Sequence, residues 1–308
     1  MMKFIRSIPL ATCGLALALA ALGNLLLSYG AAVRYICGIL SLLVLLVFAL
    51  KVFFDWPHAR AELKLPVPLS VLPTATMAIM LLSTYFSPYL GGVTATIWYA
   101  ALAAHLGIML LFFKRFIVGF KIGTVYPSWF IVFVGIAVVS VTAPTMGAVP
   151  IGQAAFYVGF IFYFIALVLI ILRMTKPIFV LEPLRLTTAI FTAPMSLLIV
   201  GYFNSFVFQG QLNEALVYLM LAIAVLSYIY VTIKMVTFLK LKFYPTYAAF
   251  TFPYVISAMA FRLGAAFLAE RGVYFFTPIA YLSQWVAVAV VVYVLGHYLR
   301  FFRWVLRF

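Results

Sequence analysis

Acidic side chains are scarce in this chain. Asp55, Glu62, Glu182, Glu214 and Glu270 are the five among 308 residues, and all map to loops or to the ends of apolar runs. Proton-coupled carriers and pumps place a carboxylate or histidine within the bilayer to hold the coupling ion. Of three histidines, His105 alone falls deep inside an apolar run. Packing with a hydrogen bond explains it more simply than a proton relay does. Cys13 and Cys37 lie in apolar stretches without a C-x-x-C pair or Cys/His cluster, so neither a disulfide framework nor a metal site is expected. Walker, H-E-x-x-H and G-x-S-x-G sequences are missing, and no carboxylate pair has usable spacing. Catalysis is not expected, and no cofactor is implied.

Charge of either sign is rare: 8% of residues are charged and 68% are hydrophobic, with a mean hydropathy of +1.24. A soluble core cannot hide so much apolar surface, since a globular domain needs roughly a quarter of its residues charged. Apolar runs of spanning length recur throughout, which makes the chain an all-α polytopic membrane protein. A spanning β-barrel would instead show short alternating segments. At the N-terminus, Lys3 and Arg6 before an apolar run resemble a signal peptide, and "LATC" (10–13) loosely resembles a lipoprotein box. The run continues past Cys13 to about Leu27, so the segment is read as a retained first span.

Ten spans are predicted near 8–28, 35–54, 69–86, 94–113, 125–142, 153–172, 187–207, 214–237, 246–268 and 275–298. Together they form a single integral membrane domain over 1–308. The net charge of +15 follows these spans rather than any polybasic tail, so no nucleic-acid partner is expected. One side collects Lys3, Arg6, Lys51, Arg60, Lys64, Lys114, Arg115, Lys121, Arg173, Lys176, Arg185, Lys234, Lys240, Lys242, Arg300, Arg303 and Arg307; Arg34, Arg262 and Arg271 fall elsewhere. That bias predicts cytoplasmic N- and C-termini.

Each odd-numbered span carries a proline ahead of a long apolar stretch: Pro9, Pro73, Pro127, Pro194 and Pro253, at intervals of 64, 54, 67 and 59 residues. Such intervals read as five tandem helical hairpins, each a proline-kinked inner helix followed by a plainer outer one. Proline is also commoner in membrane helices generally, which would account for any one of them. Small residues recur seven positions after the proline at Ala16, Gly201 and Ala260, with Gly14 and Gly135 nearby. They suit close helix packing, or a wall beside an opening. The inner spans carry hydroxyls and one amide: Thr12, Thr74, Thr76, Ser83, Ser128, Ser140, Thr192, Ser196, Asn204, Thr251 and Ser257. These bond back to their own helices or give a weakly polar path suited to loose ion passage. The odd helices all begin on the basic side, so their positive dipole ends favour anions there.

The layout, together with the ninth-span stretch "FPYVISAMAF" (252–261), resembles the tellurite-resistance/dicarboxylate transporter family, relatives of the plant guard-cell slow anion channels. The resemblance covers essentially the whole chain. It implies a homotrimer in the bacterial inner membrane, each chain with five inner helices around a central pore that passes small anions. It also implies a phenylalanine gate, assigned to Phe261 about 12 Å beyond Pro253 along the helix, and a pore wall that includes Gly14. Two roles fit Arg262: snorkelling to the outer interface or toward Glu270, and attracting anions near the pore. The expected function is a gated channel for small monovalent anions, with a link to tellurite resistance. A secondary transporter or exporter of small oxyanions or dicarboxylates is the alternative.

Overall fold

A computed structural model describes residues 2–307, with the side chains of Lys3 and Arg307, both counted in the charge bias, outside the described part. Helix dominates, and no strand occurs among the described residues. Among the described residues, eight stretches are long and apolar enough to cross a membrane: 31–54, 66–90, 92–117, 149–174, 182–209, 214–238, 245–269 and 277–306. Two shorter apolar helical segments, Thr12–Leu25 and Gly135–Met146, accompany them.

The helices are α1 (Met2–Ser7), α2 (Thr12–Leu25), α3 (Ala31–Phe54), α4 (Trp56–Glu62), α5 (Pro66–Val71), α6 (Pro73–Leu90), α7 (Gly92–Phe112), α8 (Trp129–Phe133), α9 (Val138–Thr142), α10 (Val149–Met174), α11 (Glu182–Arg185), α12 (Ala193–Ser205), α13 (Glu214–Phe238), α14 (Ala248–Ala269) and α15 (Thr277–Arg307). Burial separates them into two sets. The stretches holding α6, α12 and α14 are 78%, 89% and 67% buried, while those of α3, α7, α10, α13 and α15 are buried over a third or less of their length. Large apolar side chains such as Leu110, Ile161 and Leu226 project from the second set. Lipid is the solvent that such a surface fits.

The buried set closes on itself in chain order: α2 packs on α6, α6 on α9, α9 on α12, α12 on α14, and α14 on α2. The outer helices flank this ring, with α3 against α2, α7 against α6, α10 against α9 and α12, and α15 against α14. The connection from α6 to the outer helix that follows is the tightest of its kind among the described residues. Gly91 alone separates α6 from α7, at φ +45°, a backbone region that side chains rarely adopt.

The prolines differ from the expected kinks. Pro253 alone of the five lies within a continuous α-helix. Pro9 occupies the non-helical link between α1 and α2, and Pro127 the turn ahead of α8. Pro73 and Pro194 sit in the first turns of α6 and α12. A proline lacks the N–H that helix interiors need but costs nothing in the first turn, where that N–H has no intrahelical acceptor. These four prolines therefore mark helix starts or a change of helix type rather than bends.

Candidate functional site

The inner faces of the closed ring enclose two cavities along one axis. The first holds about 60 Å³ and is bounded by residues of all five inner spans, among them Gly14, Thr74, Gly135, Pro194 and Ala248. The second holds about 10 Å³ and is lined by Ala21, Asn24, Leu81, Val138, Val141, Ile256 and Met259, together with two residues of the first. Those two are Leu197 on α12 and Phe252 on α14. The stripes are continuous: Gly14, Leu17, Ala21 and Asn24 climb α2, while Ala249, Phe252, Ile256 and Met259 climb α14, at steps of three and four residues that keep to one helix face. The two cavities therefore follow one another along these faces, and Leu197 and Phe252 border both.

The first cavity lies where inner helices begin. Ala11 directly precedes α2, Thr74 follows the first residue of α6, and Ala193 and Ala248 open α12 and α14. Aligned peptide dipoles give each such end a partial positive charge, equivalent to roughly half an elementary charge per helix. The first N–H groups of α2 bond back to Pro9, Leu10 and Ala11, so this helix offers a field rather than open donors. Among the described residues no charged side chain lines either cavity. Polar atoms are few: Thr74, Thr187 and Thr246 in the first, Asn24 in the second. The Thr246 hydroxyl is buried without a protein partner.

Of the hydroxyls expected along a weakly polar path, Thr74 alone lines the axial cavities. Ser196 and Ser257 bond each other at 3.1 Å between α12 and α14, and Ser257 also donates to the carbonyls of Thr192 and Pro253. Ser140 donates to the Gly152 carbonyl, and Asn204 to that of Val200. The serines tie neighbouring elements together and Asn204 bonds back within α12, because a bare polar group facing packed apolar atoms would be left unpaired.

The site residues expected from the sequence divide accordingly. Gly14 and Gly135 line the first cavity. Ala16, Gly201, Ser257 and Ala260 are buried between helices and line neither cavity. A Cβ on Gly201 would come 2.8 Å from that of Ser140, so this glycine permits close packing of α12 on α9. Phe261 is displaced from its expected role. Its ring packs edge-on against Tyr228 of α13 at 5.2 Å and against Phe276, just before α15, at 5.5 Å. Nine residues separate it from Phe252, about two and a half helical turns, which puts the two rings on opposite faces of α14.

Of the readings of Arg262, the pairing with Glu270 is not what occurs, since Glu270 pairs with Arg271. The Arg262 guanidinium donates to the Leu25 carbonyl at the end of α2 (2.7 Å), to Ser28 and to the Gln284 side chain. A cation at a helix C-terminus answers the partial negative charge there. Near the same end, Arg34 donates to the side chain of the cavity-lining Asn24 at 2.9 Å. His105 is buried, with Nδ1 2.8 Å from the Thr76 hydroxyl, as a packed histidine would be. Phe252 and Leu197 escaped the sequence reading. The available signal was helical phase: Phe252 stands directly before the conspicuous proline and shares a face with Ala248, Ala249 and Ile256.

Comparison with protein families places residues 5–299 within the SLAC1 family, described as voltage-dependent anion channels. The chain belongs to this family. It is accordingly a multi-pass membrane protein of an anion-transporting group whose members are channels and transporters rather than enzymes. No curated protein matches it individually. A charge-free axial path beginning at converging helix N-termini is consistent with the weak, non-covalent handling of anions that transport demands.

Proposed function

We propose that the chain is a passive, gated channel for small monovalent anions, closed by Phe252 together with Leu197. The observation that carries this reading is that these two side chains line both cavities on an axis where only about 10 Å³ remains beyond them. A water needs about that much probe space and polar neighbours besides. A hydrated ion cannot pass so narrow an apolar constriction, so conduction requires the Phe252 ring to swing aside. With no charged side chain at the lining, selectivity follows dehydration cost, and weakly hydrated anions such as nitrate pass more readily than chloride.

In this reading the two shorter apolar segments complete ten spans, arranged as five hairpins in one membrane domain with both termini in the cytoplasm. Family resemblance supports a homotrimer in a bacterial inner membrane and a connection to tellurite resistance. Facilitated carriage of small oxyanions or dicarboxylates is the second reading. The first cavity, with the unpaired hydroxyl of Thr246, favours it as a discrete resting place for one anion. The deciding experiment is voltage clamp of Phe252→Ala beside Phe261→Ala. We expect the first to raise anion current about tenfold or more, a release of at least one 1.4 kcal/mol step in the barrier, and the second to leave it at the wild-type level. An unchanged current in well-expressed Phe252→Ala would sink the gate, and saturable uptake without single-channel steps would favour the carrier.

A further inference from the structure

A third cavity lies outside the axial path. It is an apolar groove of about 220 Å³ open between the end of α7 and the middle of α10, with Ile117, Trp129, Phe133, Phe162, Ala166 and Leu169 among its walls. One wall comes from Phe113–Ile117, where α7 widens into a π-helical turn, an irregularity that frequently accompanies functional sites. Phe162, Ala166 and Leu169 form one stripe on α10, and the next position on that stripe is Arg173, roughly 6 Å further toward the basic end of the molecule.

Arg173 is 6% exposed. Its Nε and Nη2 are buried without any hydrogen-bond acceptor, and no carboxylate pairs with it among the described residues. The guanidinium stacks over Tyr126 at 5.3 Å, three residues before the groove-lining Trp129. A buried cation in this state lacks its counter-ion. A second copy of this chain is poorly equipped to supply one. The five carboxylates are already engaged: Asp55 with His58 and Arg6, Glu62 with Lys51, Glu182 with Tyr244, and Glu214 and Glu270 with Arg271. Exposed Lys114 and Lys121, each adjoining a groove-wall phenylalanine in sequence, add positive charge at the same end.

We propose that this groove binds an anionic glycerophospholipid, with one acyl chain along the Phe162–Leu169 stripe and the phosphate on Arg173. Arg173 follows the last wall residue of the trough on this stripe, Leu169, by one helical turn, in the order in which a lipid presents tail and headgroup at the membrane interface. The phosphate takes a charge-assisted bond from Nη1, the guanidinium nitrogen not buried with Nε and Nη2, and neutralises a cation that the protein leaves without a counter-ion.

The test is native mass spectrometry of the purified full-length protein, incubated in detergent with dioleoyl phosphatidylglycerol, dioleoyl phosphatidylcholine or inorganic phosphate. Phosphatidylglycerol adducts are expected on the wild type and reduced about tenfold in Arg173→Gln, the loss of one charge-assisted contact. Ala166→Phe fills the groove while keeping the arginine, and the same loss is expected there, which guards against a misfolded Arg173 variant. Equal adducts in the wild type and Ala166→Phe would overturn the proposal. So would adducts with inorganic phosphate alone, which would mean a free-anion site, or an Ala166→Cys disulfide between two chains, which would mean that a second copy covers the groove.

Discussion

α7 and α10 run for 21 and 26 residues as continuous α-helices, while the span packed between them is divided into α8, α9 and two tight 3₁₀ turns. All three stretches are apolar, so hydrophobicity does not separate them. Their surroundings do. A helix facing lipid has no other partner for its backbone and must satisfy every N–H and C=O internally. The span between them is shielded by the outer helices and borders the axial cavities, so breaks there are tolerated. α14 repeats the contrast on a single helix: Phe252 faces the axis, and Phe261 is wedged among outer-shell aromatics.

The contrast can be pressed experimentally. The largest effect is expected at the axis: adding Leu197→Ala to Phe252→Ala should raise anion conductance beyond either single variant, by about tenfold or more over wild type. Planar-bilayer recording would show it, and additive, independent gains would argue against one shared closure. Next comes a proline in the outer shell. Ile161→Pro, at a lipid-facing position of α10, should cost about 3 kcal/mol or more through the lost backbone bond, visible as collapse of the monodisperse peak in fluorescence-detected chromatography.

Phe261→Ala should lower stability by about 2 kcal/mol, less than in a soluble core because lipid is as apolar as the packing it loses. A lower thermal midpoint with conduction unchanged would separate packing from gating. The glycines refine the point further. Gly201→Ala meets Ser140 at 2.8 Å and the Ala137 carbonyl at 3.3 Å, whereas Gly14→Ala finds ordinary contact with Ala248 at 3.7 Å. The first should be destabilised by about 1–2 kcal/mol and the second should fold like wild type; equal midpoints would show that the inner ring packs more loosely than described. The smallest effect is expected for Arg262→Gln, about 1 kcal/mol from a lost cap on α2, measured as the change in melting midpoint.

Legibility was uneven for physical reasons. Apolar run length is a local property, and it carried the membrane class and the approximate position of the eight stretches long enough to span. The prolines pointed correctly to special helices, yet their effect was misjudged. Whether a proline bends a helix or opens a first turn depends on which backbone bonds the neighbours replace, and for Pro9 and Pro127 the helix simply starts afterwards. The hydroxyls were ambiguous because each can bond its own helix, a neighbour or water. Phe261 looked suitable as a bulky ring past a kink, but counting nine residues from Phe252 turns it to the far side of α14.

The sequence by itself determined that this chain spans a membrane many times, because continuous apolar length and sparse charge leave no other solvent for it, and its motifs already pointed to an anion-handling family. Only the tertiary structure decided which faces meet on the axis and that Phe252 and Leu197 line both of its cavities. Direction around a helix changes by about 100° with each residue, so a small uncertainty in where a broken span begins moves a side chain from the axis to the lipid, and only the closed packing of the five inner segments fixes that phase.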